Sequence, residues 1–231
     1  MNKPRLLDLF CGAGGAAMGY YRAGFDVVGV DIAPQKHYPF EFHQADALSY
    51  PLDGFDVIHA SPPCQGYSSS KGLARTAIKT WQPLLGPMRE RLVVAGVPWV
   101  MENVASARSA MRWPLRLCGT QFGLRVYRHR LFETSIPLFS PGQCCHPRYL
   151  AADYLCVYGN QARRRQMGNK GNKYQHATVA EARLAMGIDW MTQKELSQSI
   201  PPAYTEWIGR QLRSVLSQRE GIGAWPAPLS R

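Results

Sequence analysis

Several features are missing from this chain, and each absence narrows what it can be. No stretch approaches the roughly eighteen apolar residues of a spanning helix, so a membrane protein is not expected. The N-terminal MNKPRLLDLFCGAGG passes into glycine-rich sequence without an apolar region of signal-peptide length, so secretory processing is not expected. The six cysteines, Cys11, Cys64, Cys118, Cys144, Cys145 and Cys156, show no small-scaffold spacing, which argues against a disulfide framework, and no paired Cys-x-x-Cys spacing. Reduced thiols and a cytoplasmic location follow as expectations. Cys144, Cys145 and His146, with Cys118 or Cys156, offer donors for zinc, but without that spacing no metal is expected and buried free thiols are the preferred reading. There is no internal repeat and no low-complexity tract.

Acidic residues are scarce in one half only. Residues 1–104 carry 9 Lys/Arg against 9 Asp/Glu, whereas residues 105–231 carry 18 against 7, so the net charge of +11 lies in the second half. Such asymmetry favours a polyanionic partner, because each cation placed near a phosphate releases condensed counterions. The basic run Arg163-Arg164-Arg165 has no amphipathic helix around it, which disfavours a membrane surface.

With 231 residues and 45% hydrophobic content, one core with an insertion is expected. Apolar runs at Leu6 to Phe10, Val27 to Val30, Phe55 to Ala60 and Val97 to Met101 read as strands. Helix-compatible stretches lie at Ala16 to Ala23 and Pro87 to Ala95. This alternation predicts an α/β, doubly wound, mostly parallel sheet. From Ile136 to Gln175 the pattern dissolves into prolines, glycines and basic residues, with at most a short strand around Tyr154 to Tyr158. Helices return at Thr178 to Met186 and at Tyr204 to Leu216, the latter after Pro201-Pro202. The expected organisation is a catalytic cofactor-binding domain over 1–135, a small irregular insertion over 136–177, and C-terminal helices over 178–231 that complete the first domain.

Asp8-Leu-Phe-Cys-Gly-Ala-Gly-Gly15 stands between a strand and a helix, where glycines let a nucleotide-like ligand approach the backbone. Asp31 closes the second strand, placed to accept from ribose hydroxyls, and Asp46 suits an adenine amino group. A dinucleotide oxidoreductase would share these features. The absence of a third glycine at the dinucleotide spacing fits an adenosyl ligand without a pyrophosphate. At the end of the fourth strand, Ser61-Pro-Pro-Cys-Gln-Gly-Tyr-Ser68 sets a cysteine beside the cleft, where it can attack as thiolate while the prolines stiffen its approach.

Together these segments resemble the DNA cytosine-C5 methyltransferase family. Its motifs match Asp8 to Gly15, Pro63-Cys64-Gln65, Glu102-Asn103-Val104, Arg128-His129-Arg130, and Ile200-Pro-Pro-Ala-Tyr-Thr-Glu-Trp-Ile-Gly209, in family order. The resemblance implies a Rossmann-like S-adenosylmethionine-dependent fold and a small, phage-type member. It implies Cys64 as nucleophile toward cytosine C6, Glu102 at N3 of the base, Arg130 on the base carbonyl and anchoring Glu102, and Arg128 in support. For the cofactor S-adenosylmethionine it implies Asp8, Phe10, Gly12, Gly14, Gly15, Asp31, Ile32, Asp46 and Ser199. Two positions depart from the family: Ser197-Gln198 replaces Gly-Asn, and Arg125-Val126 replaces Pro-Gln.

Double-stranded DNA is the implied partner, bound by a monomer that rotates the target base out of the stack. The polar segment from Gln65 to Pro83, with Ser68, Lys71 and Arg75, suits that task. In the insertion, Arg163, Arg164, Arg165, Lys170 and Lys173 can serve phosphates and groove edges. A module of about forty residues limits recognition to about two to four base pairs. An RNA cytosine-C5 methyltransferase, a silent DNA-binding relative and a nicotinamide-dependent oxidoreductase are the competing readings.

Overall fold

The computed structural model describes residues 3–67, 83–146, 154–159, 161–166 and 173–219. Strands β1 (Arg5–Leu9), β2 (Asp26–Asp31), β3 (Glu41–Gln44), β4 (Val57–Ala60), β5 (Trp99–Val104), β6 (Leu115–Leu117) and β7 (Arg130–Thr134) form one seven-stranded sheet. Its spatial order is β3-β2-β1-β4-β5-β7-β6. The first five strands run parallel, while β7 runs antiparallel to both β5 and β6. The doubly wound α/β expectation is met.

Strands β1, β4 and β5 are buried almost end to end, as strands covered on both faces must be. Side-chain alternation sends Leu6 to one face and Leu7 to the other. Leu6 joins Tyr20, Phe25, Phe132, Tyr204, Ile208 and Leu212 beneath helices α1 (Gly15–Arg22) and α5 (Pro202–Arg219). Leu7 joins Leu9, Ile58, Met88, Leu92 and Met101 beneath α2 (Leu85–Val94). Each fully buried side chain of this size contributes about 1.5–3 kcal/mol. Helices α1 and α5 touch closely at Gly19, where a Cβ would lie only 2.1 Å from Thr205 Oγ1 and 2.2 Å from Pro202 O. The Thr205 hydroxyl also donates to Ala16 O at 2.8 Å, tying the last motif to the glycine-rich turn.

Strand β5 begins two residues later than the apolar run suggested and extends through Glu102, Asn103 and Val104. Pro98 has no N–H to donate and stands just outside it, its carbonyl accepting from Ile58 N at 3.1 Å.

The insertion differs more. Among its described residues, where at most one short strand was expected, β8 (Leu155–Tyr158), β9 (Gln161–Gln166) and β10 (Lys173–Ala177) form an antiparallel sheet in the order β10-β9-β8. Tyr158 pairs with Gln161, and Gly159 has φ +61°. The arginines of β9 masked its strand character in the sequence. Leu155, Val157 and Ala162 pack with Val126, Ala182, Ala185, Met186 and Leu196, so the sheet shares a core with α3 (Val179–Met186) and α4 (Gln193–Gln198). Helix α4 was not anticipated, although Thr192 and Glu195 make a capping box there.

Candidate active site

The glycine-rich turn, Asp31, Asp46, the Cys64 segment and Glu102 all follow or end parallel strands at their carboxyl ends. Strand β1 lies between β2 and β4, so successive crossovers diverge on either side of it. A crevice at that switch point is where open α/β sheets take ligands. Because β7 is antiparallel to β5, with Val104 opposite Arg130, it delivers Arg130 to the same edge.

After β1 the chain turns sharply. Phe10 (φ +59°), Gly12 (φ +50°) and Gly14 (φ +82°) all have left-handed backbone, and Gly14 caps α1. For Phe10 this conformation costs on the order of 1–2 kcal/mol, a strain that concentrates at functional sites. A Cβ on Gly12 would meet nothing within 4 Å, so its backbone faces an open cradle. Gly14 and Gly15 are buried for packing: a Cβ on Gly14 would lie 2.8 Å from Pro39 Cδ, and one on Gly15 would lie 2.4 Å from Ile200 O. Asp31 holds the turn, accepting from Gly12 N at 3.0 Å and Ala33 N at 2.9 Å. Ile32 is 72% exposed beside it, an apolar surface facing solvent. Asp46 is also exposed, with Oδ1 accepting from Leu48 N at 2.9 Å. These residues fit an adenosyl ligand: an open backbone cradle, an uncovered apolar face, and carboxylates with acceptor capacity to spare.

Asp8 lies deeper. It is fully buried, its carboxylate oxygens have no hydrogen-bond partner among the described residues, and burial, then Asp31 and Glu102, push its pKa well above the usual carboxylate range.

Cys64 begins a 3-10 turn, Cys64–Gly66, directly after Pro62-Pro63. Asn103 fixes that segment by donating to Pro62 O at 2.9 Å. Burial, then Glu102, raise the Cys64 pKa, while Arg130 and Arg128 oppose the rise. Glu102 is buried, with Arg130 Nε 3.0 Å from its Oε1. Burial raises its pKa, and Arg130, Ser61 and Arg128 partly offset this. A thiol and a carboxyl, both held toward their protonated forms beside a guanidinium, make a nucleophile and an acid in one pocket.

Behind Glu102 lies a chain that the motif reading missed. Tyr20 Oη is 2.9 Å from His59 Nδ1, and His59 Nε2 is 2.9 Å from Ser61 Oγ, which bonds Glu102. Burial lowers the His59 pKa to about 3, so the ring is neutral. One orientation satisfies every member: Tyr20 donates to His59, His59 donates to Ser61, and Ser61 donates to Glu102. His59 and Ser61, two residues apart and directly before the Pro-Pro-Cys segment, were the available signal.

Arg128 was expected to support the chemistry, but its contacts are architectural. Its guanidinium donates to Ser199 O, Val157 O and Ser197 O, each at 2.8 Å, and it is only 2% exposed. It joins β8 to the segment before α5. Ser199 presents its carbonyl to Arg128 and its Cβ to the Gly15 side of the turn.

Residues 4–111 match the family model for C-5 cytosine-specific DNA methylases. Those residues make up just under half of the chain. The Type II methyltransferase M1.HphI of Haemophilus parahaemolyticus is 35% identical over 120 residues, covering 43% of this chain. That match spans 32% of the relative, so the chain spans about a third of the curated relative's length. Among solved structures, a prophage protein of E. coli titled as a candidate DNA modification methyltransferase shares the fold (TM-score 0.60, 16% identity, 93% of this chain and all of that one). The Dnmt2 methyltransferase of S. pombe does so too (TM-score 0.61, 13% identity, 93% and 99%).

Gln65 is exposed in the 3-10 turn beside Cys64. Ser68, Lys71, Arg75 and Lys170 lie outside the described residues. Arg163, Arg164 and Arg165 are consecutive in β9, pairing in register with His176, Gln175 and Tyr174 of β10. Lys173 opens β10 opposite Gln166. No described helix is long and apolar enough to cross a membrane.

Proposed function

We propose that the protein transfers a methyl group from S-adenosylmethionine to C5 of cytosine in DNA, through a covalent adduct on Cys64. The observation that carries this reading is the convergence of Cys64, Glu102 and Arg130 beside the open Gly12 cradle. Asp31, Asp46, Phe10 and Ile32 hold the cofactor in that cradle, with Asp8 beneath the turn. When bound, S-adenosylmethionine supplies an electrophilic methyl carbon.

The target base rotates out of the duplex into the pocket, since Cys64 cannot reach a stacked base. Cys64 gives up its thiol proton to water as its sulfur forms a bond to C6, and Glu102 gives its own proton to N3, leaving the ring electron pair at C5 to take the methyl group. The C5 proton then departs to water. Cleavage of the sulfur–C6 bond restores the ring and the thiolate, and the N3 proton returns to Glu102. Arg130 orients Glu102 and binds the base carbonyl. The basic β8–β10 sheet, with Arg163, Arg164 and Arg165 in its central strand, contacts the DNA and reads about two to four base pairs.

Incubation with tritiated S-adenosylmethionine and duplex DNA, single-stranded DNA or RNA tests the substrate, and labelled duplex DNA is the expected product. Label confined to RNA overturns the DNA reading. Cys64→Ser is expected to abolish transfer while leaving cofactor affinity within about threefold, because the thiol does not hold the cofactor. A denaturant-resistant adduct with 5-fluorocytosine DNA reports the covalent step. Bisulfite sequencing reads the target, and a site of six or more specified pairs refutes the short-site argument.

A further inference from the structure

The insertion and the arginine strand meet at a cluster that the reaction does not use. Cys118, His129, Cys144 and His146 each offer one donor atom, and all four donors lie within 4.8 Å of one another. We propose that these four residues bind a structural zinc ion, as a Cys2His2 site that ties the target-recognition segment to the catalytic arginine strand.

The geometry suits tetrahedral zinc. With bond lengths of about 2.3 Å to sulfur and about 2.0 Å to nitrogen, neighbouring sulfur and nitrogen ligands stand about 3.5 Å apart. Here Cys118 Sγ is 3.2 Å from His146 Nε2, and Cys144 Sγ is 3.7 Å from His129 Nε2. Two thiolates also neutralise the ion, which matters in the half of the chain that carries the net positive charge.

Outer contacts orient the donors as metal sites require. Thr120 Oγ1 donates to Cys118 Sγ at 3.3 Å, Arg116 Nη2 lies 3.9 Å from Cys144 Sγ, and the Tyr127 ring is 4.4 Å from that of His146. Cys118 is buried, His129 and Cys144 are half-buried, and His146 is exposed, so the site has an entry path.

The sequence reading favoured free thiols because no Cys-x-x-Cys pair exists, and it considered Cys145 or Cys156 as partners while passing over His129. Only folding brings His129 to Cys144. His129 stands between Arg128 and Arg130, so a bound ion fixes the strand that sets Arg130 against Glu102. It also anchors residues 144–146, which lead toward β8.

Full-length protein purified under reductant without a chelating column is expected to carry about one zinc per chain by mass spectrometry. X-ray absorption should show two sulfur and two nitrogen ligands. Cys118→Ser and Cys144→Ser are expected to abolish stoichiometric zinc, whereas Cys145→Ser and Cys156→Ser retain it. Should the first pair fail to fold, wild-type protein stripped by chelator and refilled with cobalt(II) should develop sulfur-to-cobalt charge-transfer bands and the intense visible bands of a tetrahedral ion. Reduced, folded wild-type protein that takes up neither metal overturns the proposal. So does equal loss of zinc in Cys145→Ser or Cys156→Ser, or a Cys118–Cys144 disulfide recovered from protein kept under reductant. None of these readouts depends on methyl transfer.

Discussion

Arg128 offers a sharp test of whether a motif residue acts on chemistry or on architecture. Its guanidinium makes three hydrogen bonds, to Ser197 O, Val157 O and Ser199 O, and no water is needed to complete them. Hydrogen bonds to a charged donor contribute about 1.5–3 kcal/mol each. Replacing Arg128 with Met removes all three, leaves the carbonyls unsatisfied, and recovers part of the cost of burying the charge. The net loss is therefore about 3–5 kcal/mol, below the simple sum. Against a total stability of about 5–15 kcal/mol, that is a large fraction. Urea denaturation of Arg128→Met should show the loss as a lower midpoint. Hydrogen exchange should show β8 and the residues before α5 opening together, because Arg128 bonds to carbonyls in both. A loss below about 1 kcal/mol, or a folded variant with unchanged exchange but collapsed turnover, refutes the architectural assignment and returns Arg128 to the base.

Glu102→Gln should cut kcat with little change in cofactor affinity, whereas Asp46→Ala should raise the KM for S-adenosylmethionine with little change in kcat at saturation; identical kinetic signatures refute the division of roles. Ser61→Ala removes a bond that lowers the Glu102 pKa, so the alkaline fall in turnover, where Glu102 loses its proton, should move to higher pH. An unmoved or downward-shifted limb, measured as a kcat–pH profile, breaks the proposed chain through Ser61. Asp8 has its folded pKa raised by burial, so the stability it contributes is full below the unfolded carboxylate value of about 3.9 and is lost as pH rises through the folded pKa. Asp8→Asn should thus melt higher than wild type at pH 7, by on the order of 1 kcal/mol, with the gap closing toward pH 4; a gap that widens on acidification refutes the sign.

Periodicity and local motifs sufficed for much of the fold. Apolar runs separated by helical stretches defined β1, β2, β4 and β5, because strands buried on both faces must be continuously apolar, whereas the exposed edge strand β3 has no such run. The order of the Asp8 to Gly15, Pro63 to Gln65 and Glu102 to Val104 segments placed the chemistry at strand ends, because every parallel strand exposes its carboxyl end on the same edge. The tertiary structure decided what depends on distant pairing. The arginines of β9 obscured a strand whose register only its neighbours β8 and β10 could fix. Whether Arg128 meets substrate or backbone depended on carbonyls twenty-nine to seventy-one residues away. The link from Tyr20 through His59 and Ser61 to Glu102, and the approach of His129 to Cys144 and of Cys118 to His146, have no signature in local spacing. They arise because the sheet and the turns beside it bring remote segments within hydrogen-bonding or metal-binding reach, and sequence separation carries no information about that distance.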